Sequence, residues 1–364
     1  MPLRHFLLPL ALAGASVGLL STAALAAPRY TITALPANTT PAGINNAGQI
    51  VGDIGTGGGR RGFLWSSGGL VELGTLGGSD STALAINAGG QAVGYSGIAS
   101  GDSRAFVYAG GVLTDLNVFG GAISFGTAIN NSGQVAGQYL GGGTFRAFTQ
   151  NGGVSTDLGT LGGSFAYAAG INSRGQIVGG SALDDTSPFL SHAFLYQDGV
   201  MTDLGTLGGS FSLATAINDH GQVVGNAWVD GSEHAFMYAD GIMVDLGTLG
   251  GRRSFANAIN ASGVVVGNAN DSEDFDYFAF IYEAGIMTNL NSLIDPALGW
   301  TLHSATGVND SGQIAAYGCR DGECGALLLD LLVGQVPEPG SMALVLSGLA
   351  LIGRRRASAA YRRA

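Results

Sequence analysis

The run DSEDFD at Asp271–Asp276 sets carboxylates at positions 271, 273, 274 and 276 with no basic residue among them. Hard oxygen donors at that density suit Ca2+, and Asp271, Asp274 and Asp276 are the candidate ligands, although nothing else in the chain requires a cofactor. A second acidic pair, Asp184 and Asp185, could act on a glycan, with a glycoside hydrolase or lyase as the resulting alternative. Adjacent residues of an extended strand point to opposite faces, which weakens that pair unless its loop bends. Other catalytic signatures fail. His192 and His234 hold equivalent places in a repeat whose other copies carry Arg, Phe or Gly, so the slot reads as packing or rim. No zinc-like His/Cys spacing occurs. GGGRRG at residues 57–62 satisfies G-x-G-x-x-G, but it joins two predicted strands, no helix follows, and the chain has 63 glycines. Between residues 27 and 335 there is no G-x-S-x-G elbow. The residues therefore point to a protein that is not an enzyme.

Whatever positions these side chains is a repeat. Aligning on INxxGQ yields seven copies, at Ile44, Ile86, Ile129, Ile171, Ile217, Ile259 and, as VNDSGQ, Val308, with asparagines 42 to 49 residues apart. That period is the length of a four-stranded propeller blade. Within a unit, four short alternating apolar runs are separated by turn signals, as antiparallel strands require. Asn-x-x-Gly after the first strand suits a tight turn with Asn218 at its start and Gly221 at positive φ. Asp-Gly at 240–241 turns the third strand into the fourth. The phrase DLGTLGGS, at 157–164 and 203–210 with near-copies elsewhere, then joins one blade to the next, its leucines plugging the seam between blades.

The last unit supplies three strands before the C-terminal tail, and residues 29–37, RYTITALPA, look like a fourth strand with no unit of their own. Together they predict a closed seven-bladed β-propeller of four-stranded antiparallel blades, in which strand 29–37 completes the last blade and hides its edge. The alternative architecture is an open β-array or a β-helix.

Residues 1–26 read as a secretory signal peptide, with Arg4, an apolar run, and small residues Ala24 and Ala26 before the cleavage point. Residues 336–364 hold Pro337, Glu338 and Pro339, an uncharged run to Gly353, and Arg354, Arg355 and Arg356. As a helix that run spans about 22 Å, enough for a shallow, transient membrane anchor with the arginines on the cytoplasmic side. The formal charge is −11, no lysine is present, and the ends hold several of the arginines, so the body at 27–335 is more acidic still. Such a surface repels nucleic acid and anionic membrane. In an exported chain, Cys319 and Cys324 of CRDGEC, flanking a glycine turn, are expected to form a disulfide.

Triplet, short apolar helix and terminal arginine cluster, in that order, resemble the PEP-CTERM sorting signal of exopolysaccharide-producing Gram-negative bacteria, also catalogued as the ice-binding protein C-terminal domain. The resemblance implies an exosortase partner that cleaves near Pro337–Pro339 and releases or re-anchors the protein at the cell surface or in the extracellular matrix. The repeats resemble the HAF-repeat family, named for His-Ala-Phe before the third-strand run. HAFLY at His192 and HAFMY at His234 match fully, whereas RAFVY at Arg104, RAFTQ at Arg146 and FAFIY at Phe278 depart at the first residue. That family implies an exported bacterial repeat protein and no established chemistry.

Alternating strand direction puts the loops between second and third strands on one face with the DLGTLGGS connections. These loops vary most in length and collect acidic residues beside aromatic ones, including Asp184, Asp185, Trp228 and Tyr277. Carboxylates next to exposed rings suit a sugar-binding surface. The sequence therefore reads as an exported, non-catalytic surface or matrix protein that binds polysaccharide or a protein partner. Purely structural service in biofilm or envelope is the other non-enzymatic alternative.

Overall fold

The computed structural model describes residues 29–332 apart from 187–189 and 273–275. Seven four-stranded antiparallel sheets surround a common axis, lined by residues from all seven innermost strands. Residues 39–72, 77–115, 124–157, 166–203, 212–245 and 254–289 form blades 1 to 6, each running outward from the axis in chain order. Blade 7 takes Thr301–Val308, Ile314–Arg320 and Glu323–Leu331, then borrows the N-terminal strand Tyr30–Ala37 as its outermost member. The ring is closed, so neither the open array nor the β-helix is formed.

Blade 5 shows why these residues make strands. Its members are Ser212–Ile217, Val223–Val229, Ser232–Ala239 and Ile242–Asp245. The second strand, packed between neighbouring blades on both sides, is buried over Val223–Ala227, and it reads as a nearly continuous apolar run. The outermost strand has four residues and is largely exposed, a short edge that offers little to another sheet. Gly221 takes φ 82° in the first turn, and Asp240 and Gly241 take φ 52° and 82° in the hairpin between third and fourth strands. Ala235 and Phe236 of HAF are wholly buried; Leu204 from the connection before the blade packs into the cluster of Phe236, and Leu246 from the connection after it into that of Ala235. Phe63, Phe106, Phe148, Phe194 and Phe280 repeat the Phe236 position, and Leu327 replaces it in blade 7.

Each innermost strand slips by one residue at the same place, between Ala214 and Ala216 in blade 5. The extra residue, here Thr215, lines the axis. The slip leaves the Leu213 carbonyl against Gly225, where an added Cβ would stand 1.9 Å from the oxygen. Gly52, Gly94, Gly137, Gly179 and Gly267 meet a carbonyl at 1.9 to 2.0 Å in the same way, which explains the glycine that closes the INxxGQxVG phrase. Blade 7 has Ala316 instead. Its innermost strand has an additional shift between Leu302 and Ser304, and the close approach moves to Gly318, 2.7 Å from the Thr301 carbonyl.

The closing strand is tied at both ends. Leu332 N–H donates to the Arg29 carbonyl at 2.8 Å, and Arg29 N–H donates to Leu293 at 2.8 Å. Arg29 also pairs with Glu283 of blade 6, and Tyr30 is 2% exposed. At the far end Thr39 Oγ1 accepts the Ala326 N–H at 3.0 Å.

Candidate functional site

Hairpins between first and second, and third and fourth, strands open on one face, called here the turn face. Second-to-third loops and inter-blade connections lie on the opposite loop face. Around the axis of the turn face the INxxGQ asparagines form a ring. Asn45 Nδ2 donates to the Asn87 carbonyl at 3.0 Å, Asn87 to Asn130, Asn130 to Asn172, Asn172 to Asn218, Asn218 to Asn260, Asn260 to Asn309, and Asn309 back to Asn45 at 3.0 Å. All seven are 3 to 6% exposed. The second amide hydrogen of Asn218 goes to Gln222 Oε1, and its Oδ1 accepts the N–H groups of His220 and Gln222. The ring rims an axial concavity of about 200 Å3, but its amides are occupied in holding blades together. Sequence reading assigned these asparagines to turns alone. The signal for more was Gln four residues after Asn in six of seven copies, the pair that shares the amide hydrogen bond in Asn45–Gln49 and Asn309–Gln313.

On the loop face the predicted residues lie on separate blades. Asp184 Oδ1 accepts the N–H and hydroxyl of Thr186 at 2.8 and 2.6 Å, and these bonds hold its carboxyl below the usual range. Asp185 Oδ1 accepts the Ser164 N–H at 2.7 Å from the preceding connection. The two carboxylates thus each serve a local turn or strut. Trp228 lies on blade 5 with its ring 6.2 Å from Phe211, and its carbonyl accepts the Gly209 N–H. Tyr277 lies on blade 6 with its ring 5.9 Å from Phe255, and its carbonyl faces His303 Nδ1 at 3.3 Å. Asp271 and Asp276 flank the blade 6 loop, and Asp274 lies outside the described residues. Among the described residues no group of three His, Cys, Asp or Glu side chains is placed to hold a metal.

The His slot has a structural partner that sequence reading missed. His192 Nδ1 lies 2.8 Å from Asp203, His234 Nδ1 2.8 Å from Asp245, and Arg146 Nε donates to Asp157 at 2.6 Å. Each aspartate opens a DLGTLGG connection and accepts the N–H of the glycine two residues on at 2.7 Å. The cationic or imidazole side chain on the third strand therefore clamps the start of the connection. Burial alone would raise the Asp157 carboxyl, but hydrogen bonds from Arg146, Gly159 and Tyr139 outweigh it and hold it low. Cys319 and Cys324 are joined across the last hairpin of blade 7, with sulfurs 2.03 Å apart.

Pro337, Glu338, Pro339, Arg354, Arg355 and Arg356 lie outside the described residues, as does the apolar run 339–353. No helix among the described residues is long and apolar enough to cross a membrane.

Comparison with known proteins bears on the tail and on the fold. Residues 335–363 match the family described as the PEP-CTERM protein-sorting motif. No curated protein matches the chain. Among solved structures, the β-propeller domain of the Trilobed protease from Pyrococcus furiosus is similar at TM-score 0.52 and 12% identity, over 69% of this chain and 80% of that one. Its description names an open velcro topology, whereas here the N-terminal strand completes blade 7. TolB from Acinetobacter baumannii is similar at TM-score 0.44 and 11% identity, over 83% of this chain and 96% of that one. A gluconolactonase from Xanthomonas campestris follows at TM-score 0.39 and 12% identity, over 85% and 93%. At these identities the likeness concerns fold alone. The chain is a seven-bladed β-propeller carrying a PEP-CTERM sorting motif, which implies export and exosortase-dependent placement at the surface or outside the cell.

Proposed function

We propose that the protein is a non-catalytic binding module of the cell surface or extracellular matrix, and that its loop face takes polysaccharide. One observation supports this above others: the polar groups at the axis of the turn face are consumed by the asparagine ring, while the loop face carries unequal loops with carboxylates and rings. Trp228 and Tyr277 supply apolar platforms on neighbouring blades, and carboxylates around them accept hydroxyl protons. Asp184 and Asp185 are engaged by Thr186 and Ser164, which favours binding over acid–base chemistry. In this reading residues 1–26 direct export, 27–335 form the mature module, and exosortase acts near Pro337–Pro339 after transient anchoring by the apolar run. Calcium, if bound, would sit in the Asp271, Asp274 and Asp276 loop.

The test is a glycan array that includes the producer's own exopolysaccharide, run with and without Ca2+. Binding that falls on Trp228→Ala with Tyr277→Ala is the expected result. Calcium dependence lost in an Asp271→Asn, Asp274→Asn, Asp276→Asn variant would assign the metal. Silence on every glycan would overturn the reading in favour of a protein partner or scaffold. Glycan turnover abolished by Asp184→Ala with Asp185→Ala would replace it with the hydrolase or lyase.

A further inference from the structure

The seven seams between blades are not alike. Six are crossed by a connection that drops apolar side chains into the gap: Leu73, Val118, Leu158, Leu204, Leu246 and Leu290 are each 7% exposed or less. The seventh, from blade 7 to blade 1, is crossed by Asn38 alone, at φ 63° between Ala37 and Thr39. Leu35 of the closing strand fills the lower part of this seam at 6% exposure, but no Leu-Gly-Thr-Leu segment exists to cover the part near the loop face. What remains is a cavity of about 740 Å3, lined among others by Thr40, Thr56, Arg60, Tyr317, Glu323 and Cys324. That volume lies within the roughly 300–1,000 Å3 of small-molecule sites. The cavity is a direct consequence of velcro closure, because only the blade built from both chain ends passes to its neighbour through a single residue.

Its chemistry is selective. Arg60 is paired with Asp53, which is 8% exposed, and Arg60 Nη2 also donates to Thr40 Oγ1 at 2.6 Å. The half-exposed guanidinium is thereby paired with a buried carboxylate, and the exposed Glu323 adds a negative charge at the rim. An anionic ligand finds no uncommitted cation there, and a greasy one would find hydroxyls and carboxylates it cannot satisfy. Glu323 is paired with Arg320 in the sheet, but neither its carboxylate nor the Tyr317 hydroxyl has a hydrogen-bond partner among the described residues, so both can engage a ligand. The Cys319–Cys324 disulfide braces the wall from which Tyr317 and Glu323 come. A pyranose matches this set: its C–H face lies on a tyrosine ring, and its hydroxyls donate to a carboxylate, exchange hydrogen bonds with threonine and accept them from arginine.

We propose that the seam between blades 7 and 1 is a binding site for a neutral sugar, one terminal or internal unit of a glycan, with Tyr317 as platform and Glu323 and Thr56 as hydroxyl partners. This rests on the glycan-binding reading above and locates its principal subsite. The experiment is saturation-transfer NMR on the exported, processed protein with neutral hexoses and disaccharides, and separately with uronic acids. Wild type is compared with Tyr317→Ala, Glu323→Gln, a cavity-filling Thr56→Trp, and, as a distant control, Val200→Ala at a 61% exposed position on the outermost strand of blade 4. Neutral sugars should bind wild type and Val200→Ala alike, with uronic acids at least tenfold weaker and each seam variant losing tenfold or more. Glu323 and Thr56 are exposed, so their variants keep the test open even if Tyr317→Ala does not fold. Neutral-sugar binding unchanged in all seam variants would overturn the seam site and leave the glycan reading standing. Preference for uronic acids would also overturn it. Absence of any sugar binding to wild type would overturn both.

Discussion

On the turn face, seven asparagines donate to seven carbonyls in an unbroken circle, and each link joins residues 42 to 49 apart, or 264 apart where the ring closes. On the loop face the polar contacts are local or reach one connection: Asp184 to Thr186, Asp185 to Ser164, Ser96 to Leu76. The two faces come from the same sheets, so the difference lies in loop chemistry. A closed circuit of buried amides rigidifies and tolerates little change, because a lost partner leaves a buried group unsatisfied. Unequal loops anchored singly can vary without disturbing their neighbours. Circular integrity is therefore written on the first face, and the second is the one left to the proposed recognition.

The largest expected effect tests the circle itself. Deleting Tyr30–Ala37 removes the outer strand of blade 7, the buried Tyr30 and Leu35, and the covering of Leu327 and Leu329. Cooperative thermal unfolding should be lost or fall by tens of degrees, since such burial is on the order of the ~5–15 kcal/mol stability of a domain. An unchanged melting curve would show that the ring does not depend on its closure. Next comes Gly225→Ala, whose Cβ would meet the Leu213 carbonyl at 1.9 Å, expected to cost ~3 kcal/mol or more in denaturant titration. Gly231→Ala, at φ 81° with open space around it, should cost only ~1 kcal/mol. Equal losses would remove the bulge argument.

Asn218→Ala withdraws the donors to Asn260 and Gln222 and the acceptor for two backbone N–H groups. A loss of ~2–3 kcal/mol is expected, against no measurable loss for the exposed Asp184→Ala. Similar values for the two would erase the contrast between faces. The smallest effect concerns acid. The Arg29 hydrogen bond holds the Glu283 carboxyl low, and Asp157 is held low on balance by Arg146, Gly159 and Tyr139 against desolvation. A depressed carboxyl contributes stability above its unfolded pKa and loses it as pH falls through its folded pKa, here at a pH below the ordinary carboxylate range. Arg29→Ala or Arg146→Ala should flatten the fall in stability below that pH and cost ~1 kcal/mol or less at neutral pH, because both pairs are about one-third exposed. A steeper acid limb in either variant would contradict the sign.

Blade count and turn positions were legible from residue order because each depends on interactions within a few positions, and the closing strand was legible by elimination. Asn218 and Gly221 specify a turn by themselves, Asp240–Gly241 specify a hairpin, and an unpaired strand at 29–37 has one partner to find at the far end. The DLGTLGGS leucines were legible as seam plugs for the same reason: they recur between strands whose order was already known. The His slot was half legible. Its exchange with Arg pointed away from metal, but its aspartate partner stands 11 residues on and meets it only across the third and fourth strands.

The amino-acid sequence thus determined the seven units, their four-strand pattern and the exit signal at residues 335–363, since local propensity and periodicity carry that information. Tertiary structure alone decided what happens between units. The asparagine donors find carbonyls one blade away, Gly225 is demanded by a carbonyl that a bulge redirects, and Ala316 is allowed because the shift between Leu302 and Ser304 moves the close approach to Gly318. The open seam at Asn38 follows from joining the two chain ends in one blade, a relation between residues nearly 300 positions apart that no local pattern expresses.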